Sequence, residues 1–393
     1  METSPTREVA SERTALLRST ASAPRVVFTT ILTRSPISRI DVARHTGLSQ
    51  AAVTKAVSPL MVAGLVADYP QARQQGRAGR PASPVTVVPE ALVVIGVKVN
   101  TDEVIAVATD LRTEVLHRAR LSLTSPAPEA VVEAIAAVCD SLKGALGSAT
   151  EVLAGVGVAV SGDVDTDTGV VRESALMRWT GVDLGARLHR RLDLPVVIEN
   201  DVRALTFAEH WFGVGVGTQS FAIVTIGRGI GSGLHVNAEV IEGAYGVAGE
   251  IGHLPLGPPQ RLCSCGRRGC VEAVAGTAAI VAAVSAAHGR AITIEEAVTL
   301  AHDGDPAANA AFGEAATVIG TAIASLVNLI GPELVIIGGE AVRNFDLFDA
   351  QLRAAFAAHA FGAAAECRIV VRPHSFEDWA RGAAAGVIRS LVA

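Results

Sequence analysis

The stretch that most restricts this chain runs from Gly252 to Glu272. His253 is followed, after nine residues, by Cys263-Ser264-Cys265-Gly266-Arg267-Arg268-Gly269-Cys270. One imidazole and three thiolates complete a tetrahedral set for zinc. Gly266 and Gly269 permit the tight turns that bring several sulfurs to one ion. Four protein ligands leave no open coordination position, so the zinc is expected to be structural. The alternatives are three free buried thiols or a catalytic zinc. The remaining cysteines, Cys139 and Cys367, stand apart, and an odd total with three clustered is a poor disulfide framework.

A metal loop of this size needs a larger body to hold it. The chain has 393 residues, enough for two or three domains at roughly 100–200 residues each. Half of them are apolar but only 4% are aromatic, so the core rests on Ala, Val, Leu and Ile. Charged residues are 18%, which excludes a disordered chain swollen by its own charge. The apolar runs Leu92–Val97 and Val152–Val160 fall short of the roughly 20 residues that span a bilayer. Met1–Thr20 has no apolar stretch of the signal-peptide kind. A cytoplasmic protein without membrane contact is expected.

Charge is unevenly spread. Residues 1–90 carry eleven Lys and Arg against six Asp and Glu, while the rest carries 22 against 33. A basic head on an acidic body fits nucleic-acid binding confined to the head. The head reads as helices at Arg25–Thr33 and Ile37–His45, then Thr46-Gly47-Leu48-Ser49, then a helix over Gln50–Ala63. Gly47 suits a left-handed helix end and Ser49 an N-cap. Helix, short glycine-containing turn, helix is the helix-turn-helix signature, with the second helix in the major groove. Ser49, Gln50, Thr54, Lys55 and Ser58 are its candidate DNA contacts. Gln50 suits adenine, and Lys55 guanine or phosphate. Extended segments at Gly64–Val66 and Pro84–Val88 flank a basic stretch, making a β-wing whose Arg73, Arg77 and Arg80 reach DNA. Pro59 removes one helical hydrogen bond, so a bend or an early end is expected there.

Beyond residue 90, β and α patterns alternate. Leu92–Val99, Val104–Thr109 and Glu114–Leu123 read as consecutive strands and Pro128–Lys143 as a helix. Strand Val152–Val160, helix Asp183–Leu192, strand Pro195–Ile198 and helix Val202–Trp211 follow. A second series starts at Ser220–Ile226 and continues with helix Pro306–Leu329, strand Leu334–Ile337, a helix near Phe345–Ala358, strand Arg368–Val371 and helix Glu377–Val392. Two strand-rich starts, each followed by βα units, suggest two α/β lobes with a cleft between them. Asn200, Asp201, Glu250 and Glu272 have the chemistry of sugar ligands, because carboxylates and amides pair with neighbouring hydroxyls. Asp201 has a second reading as the cap of the helix that follows it.

From residue 25 onward the chain resembles the ROK family, which joins bacterial repressors, open reading frames and sugar kinases. The resemblance rests on Glu199-Asn200-Asp201-Val202-Arg203-Ala204, Gly249-Glu250-Ile251-Gly252-His253 and the Cys263–Glu272 loop. It implies a winged helix-turn-helix head on a two-lobed body of the actin-like, ribonuclease H-like sugar-kinase ATPase fold. The implied layout is a flexible N-terminus (1–24), a head (25–89), a first lobe (90–198 with 379–393) and a second lobe with the zinc loop (199–378). It implies sugar contacts at Asn200, Asp201, Glu250, His253 and Glu272, and zinc ligands at His253, Cys263, Cys265 and Cys270. In the family's kinases the aspartate aligned with Asp201 is the general base.

The departures from the kinase pattern decide the expected activity. Where the kinases carry an Asp-x-Gly-Gly-Thr phosphate loop, this chain has Lys98-Val99-Asn100-Thr101, with a cation for the Asp and no loop glycines. In the second phosphate loop, Gly227–Gly233, Arg228 replaces a Thr. Ile336–Glu340 still resembles the adenosine-side turn. Ala175 stands where an Asn precedes Trp179, so the ligand need not be glucose. Asp201 is then a vestigial base, and ATP with Mg²⁺ is not expected. The expected function is transcriptional control of carbohydrate genes: a homodimer or homotetramer on a palindromic double-stranded operator, responsive to a sugar or sugar derivative. The alternatives are an ATP-dependent sugar kinase with an added head, and a DNA-binding protein governed by a protein partner.

Overall fold

The structure is a computed structural model that describes residues 5–18, 22–70 and 84–392. It forms two compact units. The first gathers Met1–Ala204, Trp211–Val216 and Ala380–Ala393, and the second Leu205–His210 and Gly217–Trp379.

The first unit begins with helices α1 (Pro5–Leu17) and α2 (Ser22–Arg34), strand β1 (Ile37–Ser38), and helices α3 (Arg39–Thr46) and α4 (Gln50–Val62). Strands β2 (Val66–Asp68) and β3 (Pro84–Val87) pair antiparallel, with β1 on the outer side of β3. A five-stranded sheet follows: β4 (Val93–Val99), β5 (Glu103–Thr109), β6 (Val115–Ser122), β7 (Leu153–Val160) and, beyond a small sheet of β8 (Asp163–Asp165), β9 (Val170–Ser174) and β10 (Trp179–Asp183), strand β11 (Val196–Asn200). Its order is β11-β7-β4-β5-β6. Helices α5 (Pro128–Leu146) and α6 (Leu184–Leu192) belong to it, and α7 (Asp201–Phe212) leaves from the end of β11.

The second unit repeats the scheme. Strands β12 (Phe221–Ile226), β13 (Ile230–Val236), β14 (Glu239–Val240), β15 (Leu334–Gly338) and β16 (Arg368–Val371) lie in the order β14-β13-β12-β15-β16. In each sheet the first strand is central, with an antiparallel meander on one side and two parallel strands on the other. Helices α8 (Glu272–Ala275), α9 (Thr277–His288), α10 (Ile294–His302), α11 (Pro306–Ile330) and α12 (Asp349–His359) follow, and α13 (Phe376–Val392) closes the chain. Helix α11 has the length and apolarity of a membrane span, but 67% of its apolar window is buried. Its Ala315, Ile319 and Ile323 join Val224, Ile337 and Leu352 in one core, so it is a core helix.

Alternation explains how β4 serves two cores. Val93, Ile95 and Val97 pack with Val131, Ile135 and Leu142 of α5. Leu92 and Val94, on the other face, join Phe28, Leu60 and Val85 of the head and Ala384, Ile388 and Leu391 of α13. Two glycines let α13 lie on the sheet: a Cβ at Gly96 would meet the Ala380 carbonyl oxygen at 1.9 Å, and one at Gly157 the Ala383 oxygen at 2.1 Å. Cys139 sits in the first of these cores, and burial pushes its thiol up to about 12.

The structure corrects the expected layout in two places. The N-terminus holds helix α1 in place of a flexible segment, because Ala10 and Leu17 are buried in the head core and Arg13 donates to the carbonyls of Ala63 (2.9 Å) and Ala91 (2.5 Å). The division expected between 198 and 199 cuts through β11, which is hydrogen-bonded to β7 along Val196–Asn200; the second unit takes Leu205–His210 of α7 and then runs from Gly217.

Candidate functional site

The metal-loop residues are placed by glycines. Gly249 has φ +89°, and a Cβ there would lie 2.5 Å from the Ser232 carbonyl oxygen; one at Gly252 would lie 2.0 Å from that of Ile230. Only glycine lets this segment run so close against β13, and the Ser232 hydroxyl fastens it by donating to the Gly249 carbonyl at 2.6 Å. Glu250 and His253 are set by that contact. His253, Cys263, Cys265 and Cys270 then offer ligand atoms all within 4.8 Å of one another. A tetrahedral zinc, with Zn–S of about 2.3 Å and Zn–N of about 2.0–2.1 Å, spaces two sulfurs by about 3.8 Å and sulfur and nitrogen by about 3.6 Å. Cys265 Sγ and Cys270 Sγ are 3.8 Å apart, and Cys263 Sγ lies 3.8 Å from His253 Nδ1. The donor set fits a metal ion. Burial pushes the Cys270 thiol up to about 12, and a divalent cation is what would strip such a proton. Nδ1 being the metal-side nitrogen, Nε2 is left for other contacts and stands 3.9 Å from Glu250 Oε2.

Glu272, which opens α8, has both oxygens engaged. Oε2 accepts from the Ile230 N–H at 3.1 Å and Oε1 from the Ser264 hydroxyl at 3.2 Å. It therefore ties the turn before β13 to the cysteine loop. Glu250, half-exposed on its side chain, lies at the solvent edge of the same loop.

The first unit carries Asn200 and Asp201 where β11 passes into α7. Asn200, not Asp201, caps this helix: its Oδ1 accepts from the Arg203 N–H at 3.0 Å, and its Nδ2 donates to the Gly162 carbonyl at 2.9 Å. Below it, Glu199 accepts from the Asn200 N–H (2.9 Å), the Arg203 guanidinium and Thr166 Oγ1 (3.2 Å). Burial pushes the Glu199 carboxyl up, against the pull of Arg203. Glu199, Arg203 and Thr166 escaped the reading for ligand chemistry, although an acid and a base four residues apart across the strand end was the available signal.

Asp201 has a partner that sequence spacing does not reveal. Lys98 Nζ, at the end of β4, lies 2.5 Å from Asp201 Oδ2, with side chains only 6% and 12% exposed. The lysine standing in the place of the kinases' aspartate thus pairs with the carboxylate aligned with their base. Ala175 lies in the turn between β9 and β10, and Trp179 is a buried anchor whose Nε1 donates to the Pro126 carbonyl at 2.7 Å.

In the head, Gly47 ends α3 at φ 71°, and Ser49 caps α4 by accepting from the Ala52 N–H at 3.2 Å. Val53, Ala56, Val57 and Leu60 are buried, while Ser49, Gln50, Thr54, Lys55 and Ser58 are exposed. Thr54 donates its hydroxyl to the Gln50 carbonyl at 2.9 Å. Pro59 lies within α4 without ending it. Arg73, Arg77 and Arg80 lie outside the described residues, although the strands flanking them pair as a wing requires and the Tyr69 N–H extends the pairing to the Pro84 carbonyl at 2.8 Å.

Residues 94–389 match the ROK family. The chain is 30% identical over 318 residues to the DNA-binding transcriptional dual regulator NagC of Escherichia coli K12, covering 78% of this chain and 77% of that one. It is 26% identical over 314 residues to the xylose repressor of Bacillus subtilis 168, covering 80% and 81%. Among solved structures, a ROK family transcriptional regulator described as a homolog of the E. coli MLC protein shares the fold with a TM-score of 0.79 at 23% identity, over 98% of this chain and 97% of that one. A ROK family glucokinase from Streptomyces griseus, in complex with glucose and AMPPNP, has a TM-score of 0.63 at 27% identity, over 74% of this chain and 98% of that one. The body therefore has the sugar-kinase fold, and the chain belongs to the ROK family.

Proposed function

We propose that this chain is a transcriptional regulator of carbohydrate genes, a repressor whose hold on DNA responds to a sugar or sugar derivative. The observation that carries this reading is the exposed polar face of α4, Ser49 to Ser58, in a winged helix-turn-helix joined to a sugar-kinase body. Relatives named as a xylose repressor and as the regulator NagC support it. Gln50 and Lys55 read base edges, Thr54 and Ser58 extend the contact, and the wing arginines Arg73, Arg77 and Arg80 hold phosphate or the minor groove. Two copies of the head engage a palindromic operator, since a dimer's two-fold axis matches that of the site. The site of action is the cytoplasm.

The sugar contacts are Asn200, Asp201, Glu250, His253 and Glu272. Zinc is the ion for His253, Cys263, Cys265 and Cys270, and its role is to fix the loop that carries His253, with Glu272 fastened to the same loop through Ser264. The kinase alternative is disfavoured by the Lys98–Asp201 pair, which holds the base aspartate against a cation.

The test is selection of duplex DNA bound by the purified protein, then footprinting across D-xylose, D-glucose, N-acetylglucosamine and their phosphates. A palindromic footprint altered by one sugar is the expected result. No duplex selected would refute the DNA reading. A footprint indifferent to every sugar would favour control by a protein partner, and ATP-dependent phosphorylation of any of the sugars would favour the kinase.

A further inference from the structure

The cysteine loop is a small hairpin with one sulfur at its open end. Leu262 pairs antiparallel with Arg268. The Gly269 N–H donates to the Arg261 carbonyl at 2.9 Å, and the Cys263 N–H to that of Arg267 at 2.8 Å. Gly266 closes the tip by donating its N–H to the Cys263 carbonyl at 3.0 Å. Its φ is +81°, and a Cβ built there would meet nothing within 4 Å among the described residues beyond its own neighbours. Cys265 sits on this tip beside Arg267 and Arg268, and all three are exposed. Cys263 and Cys270 are only 4% and 1% exposed. Of three thiols that fit one metal ion, one is open to solvent and two are closed.

The open sulfur has a closed one beside it. Cys265 Sγ lies 3.8 Å from Cys270 Sγ. A disulfide holds its sulfurs at about 2.05 Å, so the two must approach by about 1.8 Å. Susceptibility to oxidation follows exposure, and a redox-sensitive thiol stands next to a second thiol that resolves it. The cysteines outside the loop are placed otherwise. Cys139 is enclosed in the core of the first unit, and Cys367 donates its S–H to the Pro332 carbonyl at 3.2 Å.

We infer that Cys265 is an oxidation site for hydroperoxides, with Cys270 as the thiol that resolves it. Written with both groups as thiols, the Cys265 sulfur takes one oxygen from hydrogen peroxide, giving a sulfenic acid and one water. The Cys270 sulfur then attacks the Cys265 sulfur. The S–O bond breaks, the S–S bond forms, and the Cys270 proton leaves with the hydroxyl as a second water. Two electrons pass from the sulfurs to the peroxide. The disulfide takes two of the four donors of the metal set and leaves His253 and Cys263, too few for a closed tetrahedral site. Oxidation therefore frees the loop that carries His253 and that holds Glu272 through Ser264. This consequence rests on the zinc reading under the proposed function, whereas the oxidation site itself stands on the two sulfurs alone.

The test treats the full-length, zinc-loaded protein with hydrogen peroxide, with and without dimedone. Trypsin cuts after Arg267 and Arg268, so a Cys265–Cys270 disulfide joins two separate peptides in a digest made without reductant. Fragmentation by mass spectrometry then tells Cys265 from Cys263 within the first peptide. The Cys265–Cys270 link is expected as the main disulfide. Zinc, read with a chromogenic chelator, should be released in step with it, and dithiothreitol with added zinc should reverse both. In Cys270→Ser, which lacks the resolving thiol, dimedone should label Cys265 at least about tenfold more than Cys263. Should that variant fail to fold, the linked peptides of wild type decide alone. A main disulfide through Cys263, or dimedone label spread evenly over the loop, would overturn the inference. So would thiols that all survive peroxide under conditions that oxidise free cysteine. Protein that takes up no zinc would sink the zinc reading while leaving the linked peptides intact, and a zinc-bound protein that resists peroxide would sink only this inference.

Discussion

The Lys98–Asp201 pair can be tested by a double-mutant cycle. Its members are 2.5 Å apart with side chains 6% and 12% exposed, so each screens the other's charge where water cannot. Asp201→Asn leaves a buried ammonium facing an uncharged amide. Removing one partner of such a pair costs about 3–5 kcal/mol. The low end, about 3 kcal/mol, is the expected loss. Lys98→Met strands the carboxylate, which keeps the Val202 N–H at 2.9 Å, and should cost a similar amount. In a unit of this size each kcal/mol moves the melting midpoint by about 2–4 °C, so either single change should lower it by roughly 6–12 °C. The double variant, Lys98→Met with Asp201→Asn, removes both charges of the pair and should melt above either single one. Scanning calorimetry of the full chain, following the transition that moves with these substitutions, supplies the three numbers. Single shifts under 2 °C, or shifts that simply add in the double variant, would refute the buried-pair argument.

Other perturbations reach the remaining parts. Cys263→Ser should cut bound zinc, read by metal analysis, and weaken sugar response and thermal stability together; a variant that keeps both responses would show that the loop needs no metal. Gln50→Ala and Lys55→Ala should each weaken operator binding by about 1–3 kcal/mol in gel-shift titrations, with zinc content unchanged. Gly252→Ala puts a Cβ 2.0 Å from the Ile230 carbonyl oxygen, so it should displace His253 and lower zinc affinity although it touches no ligand atom; unchanged zinc affinity would contradict the packing role given to that glycine.

What was legible in the sequence was whatever local pattern controls. The metal cluster and the capped turn of the head are set by residues close in the chain. Unbroken apolar runs placed β7 and, with their β-branched residues, β4 and β12 within a residue or two. Helix α1 was missed because, among its described side chains, Ala10 and Leu17 are the buried ones, with Leu16 packed beside them, too few to print a periodic stripe. Helix α9 was not singled out because alanine fills both its buried and exposed faces, and the small sheet β8–β10 because its strands are three to five residues long. The contact that matters most to the site was invisible for a different reason. Lys98 meets Asp201 across 103 positions. Spacing says nothing about such a pair. The Lys98 substitution could be seen to remove something from a kinase, but only the fold shows where its charge went.

Strand β4 and helix α7 give the Lys98–Asp201 pair a route to the DNA-binding head. On one face of β4, Leu92 and Val94 lie in the head core, Gly96 lies against the Ala380 backbone, and Lys98 reaches Asp201. Helix α7 starts at Asp201 and brings Trp211 into the same head core. Arg112, in the turn after β5, adds hydrogen bonds to Ser35 (2.8 Å) and Thr86 (3.1 Å) of the head. Two elements thus each carry one member of the ion pair at one end and one piece of the head core at the other. A ligand that alters the pair can bias the head only if this connection is stiff. Val94→Ala tests the stiffness without touching either charge. It removes two buried methyl groups, at a cost of about 2 kcal/mol, and leaves a void at the head end of the strand. Sugar affinity should then stay within twofold of wild type, while the ratio of operator affinities with and without sugar should shrink at least threefold. An unchanged ratio in a variant destabilised by the expected amount would mean that the signal does not travel through β4.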